Sequence, residues 1–127
     1  MIFDNIRNML NNEISIKEQV GDMIITLRAI RFNKEVGMLR GLFESDKKVL
    51  LADISNEKCI NHGVGSALIM RFEDICRENG VKEIHGNLAN VDLDHKDRLI
   101  HFYKKHGYSI VEENEEGSFW GKITKEL

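Results

Sequence analysis

Ile2, Phe3, Ile6, Met9 and Leu10 recur at three- and four-residue spacing, which predicts a short amphipathic helix over the first dozen residues, with Asp4, Asn5, Arg7 and Asn8 on its polar face. Asn11 and Asn12 stop it, and residues 13–22 read as a connector that is extended at most around Ile14, Ser15 and Ile16. The period then changes to two. Residues 23–32 predict a strand, Asn33 and Lys34 a turn, and residues 35–44 a second strand, with Val36, Met38 and Leu42 on one face and Gly37, Leu39, Gly41 and Phe43 on the other. After a turn at residues 45–47, a third strand runs over 48–54, and its Val49-Leu50-Leu51-Ala52 core predicts burial on both faces. Three strands joined by tight turns make an antiparallel meander.

The helical period returns over residues 65–79, where Val64, Leu68, Phe72, Ile75 and Cys76 form the apolar stripe, and Glu73 and Arg77 are expected to pair on the wet side. Asn79-Gly80 is a helix stop, because glycine takes the left-handed conformation without steric penalty. Residues 81–89 predict a strand with Ile84, Gly86 and Leu88 opposite His85 and Asn87. A polar loop over 90–96 leads to a helix that starts at Asp97, carries Leu99, Phe102, Tyr103 and His106 on one stripe, and ends at Gly107. A strand over 108–112, a charged hairpin loop over 113–117 and an edge strand over 118–125 complete the pattern. The expectation is an α/β (α+β) fold: a mixed, mostly antiparallel sheet flanked by helices, without repeats or low-complexity segments.

Composition narrows the function classes. A length of 127 residues suits one domain, residues 1–127, which would bury roughly two-thirds of its unfolded surface. The formal charge of -3 argues against binding nucleic acid through its backbone, and no run approaches the ~18 apolar residues of a membrane span. Cys59 and Cys76 are too far apart for a CxxC pair and read as reduced thiols; with a charged N-terminal segment, the expected location is the cytoplasm. No metal is expected: His95, His101 and His106 do not share a helix face, and Asp92, Asp94 and Asp97 lack the glycine and terminal Glu of a calcium loop.

The stretch Ile60-Asn61-His62-Gly63-Val64-Gly65-Ser66-Ala67-Leu68 carries more chemistry. A glycine turn that feeds a helix presents unpaired N–H groups and the positive end of the helix dipole, together a seat for phosphate or pyrophosphate. The same glycines also serve any tight connection into a helix, so the turn alone leaves both readings open.

Downstream lies His101-Phe102-Tyr103-Lys104-Lys105-His106-Gly107-Tyr108. Gly63-Val64-Gly65 followed by this segment, in this order of elements, resembles the GNAT superfamily of acetyl-coenzyme A dependent N-acetyltransferases, over about residues 23–127. The first motif is usually Gln/Arg-x-x-Gly-x-Gly/Ala, and Ile60 departs from it, leaving the loop to work through backbone donors. The second is matched by Phe102, Tyr103, Lys105, Gly107 and Tyr108.

The resemblance implies an acetyl-coenzyme A cosubstrate held by Ile54, Ser55, Asn61, His62, Gly63, Val64, Gly65, Ser66 and Lys105, with Tyr103 as general acid. Asp53, at the end of the third strand, is the expected base, with His85 as the alternative on account of its intrinsic pKa near 6.5. The acceptor would be a small-molecule or peptide amine. Relatives carry a strand and two helices ahead of the meander that help wall the acceptor site, whereas about twenty residues stand there in this sequence. A second copy of the chain, in a homodimer, is one way to complete that wall. The alternative function is a GNAT-fold module that binds coenzyme A or a partner without catalysis.

Overall fold

The computed structural model describes residues 14–55, 63–89, 95–113 and 118–127. The helix expected over the first dozen residues, Asn61 and His62, the loop residues 90–94 and the loop residues 114–117 lie outside that set.

Seven strands, β1 (Ser15–Val20), β2 (Ile24–Arg31), β3 (Lys34–Ser45), β4 (Lys48–Ser55), β5 (Glu83–Ala89), β6 (Ser109–Glu112) and β7 (Phe119–Glu126), form one sheet in the order β1-β2-β3-β4-β5-β7-β6. Among the described residues, two helices, α1 (Val64–Glu78) and α2 (Lys96–Lys105), are inserted on either side of β5. All neighbours are antiparallel except β4 and β5, as a strand pair joined through a helix requires.

The meander is longer than expected. Residues 15–20 are a strand, not a connector, and pair antiparallel with β2 from Ser15↔Ile30 to Val20↔Ile25. Only Ile16 of this strand is half-buried, so its edge position leaves almost no apolar alternation to read. Arg71 of α1 holds it from the helix side, its Nη2 donating to Glu18 Oε1 at 3.0 Å and its Nε to Oε2. The following turn sits at Phe32-Asn33 and not at Asn33-Lys34: both residues have positive φ, 50° and 60°, the conformation that suits a two-residue hairpin.

One face of the sheet packs on α1. Ile25, Leu27, Ala29, Leu39, Val49, Leu51, Ile84, Leu88 and Ile123 are buried with Val64, Leu68, Ile69, Phe72, Ile75 and Cys76. The helix comes close because β3 offers glycines beneath it. A Cβ on Gly37 would stand 2.6 Å from Val64 Cγ1, and one on Gly41 2.6 Å from Phe72 Cε1. Burial in β4 is one-sided, correcting the expectation: Val49 and Leu51 are buried, Leu50 is half-buried and Ala52 exposed. Nor is β7 an edge strand. It runs between β5 and β6, which explains why Trp120, Gly121 and Ile123 are buried.

Two local features shape the middle of the sheet. Arg40 pairs with Asp53 but Gly41 with Leu51, so Ala52 is an extra residue and β4 bulges there. Next to that bulge the parallel ladder ends: β4 and β5 pair at Lys48↔Glu83, Val49↔Ile84 and Leu50↔His85, and not beyond. The strands therefore part into a fork that opens toward Ser55 and Ala89.

Candidate active site

Helix α1 begins on Gly63, in the left-handed conformation (φ 79°, ψ 6°), with no side-chain cap and no acidic residue in the first turn. Among the described residues, a Cβ at Gly63 would meet nothing within 4 Å. Uncapped helix N–H groups are what an anion needs. Ile54 and Ser55 end β4 just upstream, half-buried and paired with Leu39 and Met38 of β3. Val64 and Gly65 are buried, and Ser66, the third residue of α1, is half-buried.

Helix α2 ends in a matched cap at each bond. The N–H of Gly107 (φ 84°) donates to Lys104 O at 3.0 Å, and that of Tyr108 to Tyr103 O at 2.9 Å, the paired arrangement of a left-handed glycine cap. This turn folds Tyr108 back beneath Tyr103, with ring centroids 5.6 Å apart and both rings buried. The same cap closes α1, where Gly80 donates to Arg77 O and Val81 to Cys76 O. Tyr103 also meets Phe102 edge-on at 5.2 Å, so its ring is fixed from two sides.

The two motifs converge. Ser66 Oγ lies 2.9 Å from His106 Nε2, a hydrogen bond that spans forty positions and ties the first turn of α1 to the C-cap of α2. The His106 ring packs on Phe102, 5.0 Å between centroids. Burial holds its pKa below the usual histidine range; Glu73 opposes that shift, and Lys105 and Lys125 add to it. A second link runs below the first. Lys125 of β7 donates to the His106 carbonyl at 2.6 Å and to Glu73 Oε1 of α1 at 2.9 Å.

Glu73 therefore does not lie on the wet side. It is 5% exposed, and Arg77 reaches it only at 3.9 Å, whereas Lys125 is its close partner. Its place between Phe72 and Cys76, four residues after Ile69, puts it on the buried stripe; that spacing was the available signal. Burial also pushes the Tyr108 phenol well up, with Glu73 adding to the effect, and raises the Cys76 thiol to about 12, as suits an inert core cysteine.

The remaining predicted residues are dispersed. Asp53 is exposed at the β4 bulge, opposite Arg40. His85 stands at the last rung of the parallel pair, half-buried and hydrogen-bonded to Glu44 through Nε2, on the face opposite Ile84 and Gly86. Lys105 is exposed at the last position of α2. His106 entered the sequence reading only as a stripe residue; the partner that gives it a role is visible only in three dimensions. Among the described residues, no three His, Cys, Asp or Glu side chains group as a metal site, and no helix is long and apolar enough to cross a membrane.

Comparison with known proteins agrees with this geometry. The acetyltransferase (GNAT) family model matches residues 18–108. The chain is 37% identical over 65 residues to Uncharacterized protein YocC of Bacillus subtilis, covering 51% of this chain but 38% of YocC, so it spans well under half of that relative's length. Among solved structures, a GNAT family acetyltransferase from Elizabethkingia anophelis with acetyl-CoA bound superposes at a TM-score of 0.70 with 14% identity, covering 90% of this chain and 98% of that one. Ard1 from Thermoplasma volcanium gives 0.68 with 21% identity over 80% of this chain and 70% of its own. At such identities the shared property is the fold.

Proposed function

The chain belongs to the acetyltransferase (GNAT) family, and on that premise we propose that it moves an acetyl group from acetyl-coenzyme A directly to an amine. The observation that carries this reading is the junction of Ser66 with His106, which brings the uncapped N-terminal end of α1 beside the helix that bears Tyr103.

The pyrophosphate would sit on the N–H groups of the Gly63 to Ser66 turn, within reach of Lys105 on the adjoining helix end. Asn61 and His62, in the same loop, would add to it. The arm between pyrophosphate and thiol is an extended chain with two amides, and strand edges recognise such chains through their backbone groups. The facing edges of β4 beyond Leu50 and of β5 beyond His85 are unpaired with one another, and β4 runs up to Ile54 and Ser55 beside α1. That fork would place the thioester inside the sheet.

Acetyl transfer then needs a neutral amine, a donor for the tetrahedral oxyanion and a proton for the departing thiolate. The bulge leaves Ala52 without a register partner in β3 beside the fork, and its backbone N–H would supply the oxyanion donor. Tyr103 would give its phenolic proton to the sulfur. Asp53, on the bulged segment, would accept the ammonium proton through water, with His85 and its partner Glu44 at the closed end of the fork as the competing base. The protons balance: the ammonium loses one to the base before attack, the C–S bond breaks as Tyr103 protonates the departing thiolate, and the second proton of the attacking nitrogen returns to the Tyr103 phenolate as the amide forms.

The test is coenzyme A binding by calorimetry followed by thiol release across an amine panel. Binding with release of thiol supports the enzyme. Binding without release on any amine leaves the chain as a cofactor-binding module, and no binding at millimolar concentration removes both readings.

A further inference from the structure

Ser66 is the third residue of α1, in a first turn whose amides have no side-chain cap. A serine hydroxyl carries one proton and two lone pairs and rotates freely unless something fixes it. Here Nε2 of His106 fixes it, at 2.9 Å. His106 is itself held on three sides: its backbone is the C-cap of α2, its carbonyl accepts from Lys125 at 2.6 Å, and its ring lies on Phe102. A histidine anchored this firmly sets the direction of the hydroxyl it touches, rather than following it.

We propose that His106 is a positioning residue for the phosphate end of the cosubstrate: by holding the Ser66 oxygen, it aims the Ser66 proton at the anion that occupies the α1 N-terminus. The inference rests on the acetyl-coenzyme A reading above. With the proton on Nε2, His106 donates to Ser66 Oγ and leaves the serine proton free to bond a phosphate oxygen. With Nε2 bare, the serine proton points back to the ring, and lone pairs face the anion. An anion at the helix end therefore selects the Nε2–H form, and Ser66 becomes one more donor beside the backbone amides.

The experiment measures coenzyme A affinity for the wild type, Ser66→Ala, His106→Phe, the double variant and His106→Gln, with the thermal midpoint of each as a check of folding. Phe keeps the ring on Phe102 but has no nitrogen; Gln restores an N–H donor; and Ala at 66 removes a single oxygen, which leaves the fold least at risk. Pantetheine, which lacks phosphate, is the control ligand. Ser66→Ala and His106→Phe are each expected to weaken coenzyme A binding about tenfold, as for loss of one donor to a charged acceptor. The double variant should be no weaker than either single one, glutamine should recover most of the loss, and pantetheine binding should not change. Losses that multiply in the double variant, no loss in either single variant, no recovery by glutamine, or equal weakening of pantetheine would each overturn the proposal while leaving the acetyl-coenzyme A reading in place. A wild type that does not bind coenzyme A overturns both.

Discussion

Ser66 Oγ and His106 Nε2 stand 2.9 Å apart, so the glycine turn ahead of α1 and the cap that ends α2 are a single piece of structure. Anything bound at one is within reach of side chains from the other.

The pH dependence of folding has a definite sign. The folded-state pKa of His106 lies below its ordinary value of 6.5, mainly because of burial. Below that value the unfolded chain binds the proton more readily than the folded one, so this stabilising contribution is complete above about 6.5 and is lost as pH falls through the folded pKa. Thermal melts at pH 8 and at pH 5.5 should therefore show a smaller drop for His106→Gln than for the wild type. Equal drops would show that His106 is not the group responsible.

Replacing Tyr103 with Phe keeps the buried ring packing against Phe102 and Tyr108 but removes the phenolic proton. Turnover should fall by the ~10² to 10⁴ typical of losing a general acid, with coenzyme A affinity retained. Asp53→Asn and His85→Gln, compared in the same assay, identify the base: the one whose loss flattens the acidic limb of the rate profile is the proton acceptor.

At Gly63 the backbone is left-handed, with nothing among the described residues within 4 Å of the absent Cβ. Gly63→Val imposes the strain of that conformation, about 1 to 2 kcal/mol for an ordinary residue and more for a branched one, and places methyl groups where the phosphate would approach. Coenzyme A binding should be abolished in calorimetry. Retained affinity would move the phosphate elsewhere.

Lys125→Met removes the close partner of the buried Glu73 carboxylate, leaving it Arg77 at 3.9 Å, and should cost up to about 3 to 5 kcal/mol in a denaturant titration, the range for breaking a buried pair. Adding Glu73→Leu should recover most of that loss. Additive losses would show that the pair is held by something other than mutual charge.

Much of this was readable from spacing. The stripe Val64, Leu68, Phe72, Ile75 and Cys76 is buried as its period requires, and the glycines at 80 and 107 end their helices with positive φ. The misses have physical causes of two kinds: a weak local pattern and a neighbour distant in sequence. β1 is an edge strand whose exposed residues carry no alternation, and β7 looks like an edge until β6 is placed outside it. Glu73 falls on the buried stripe four residues after Ile69, but the partner that makes its burial tolerable, Lys125, is 52 positions away. His106 gained its meaning from Ser66 for the same reason.

The fork in the sheet has a mechanical consequence. Among the described residues, β4 and β5 share three rungs between two leaves of sheet, β1 to β4 on one side and β5 to β7 on the other, with the His85–Glu44 hydrogen bond at the last rung and α1 bridging across as the outer brace. A ligand that bonds both inner edges acts as a staple. Occupancy should then be legible as slowed amide exchange confined to the gap-facing N–H groups after Leu50 and His85, while the paired lower rungs stay as they were.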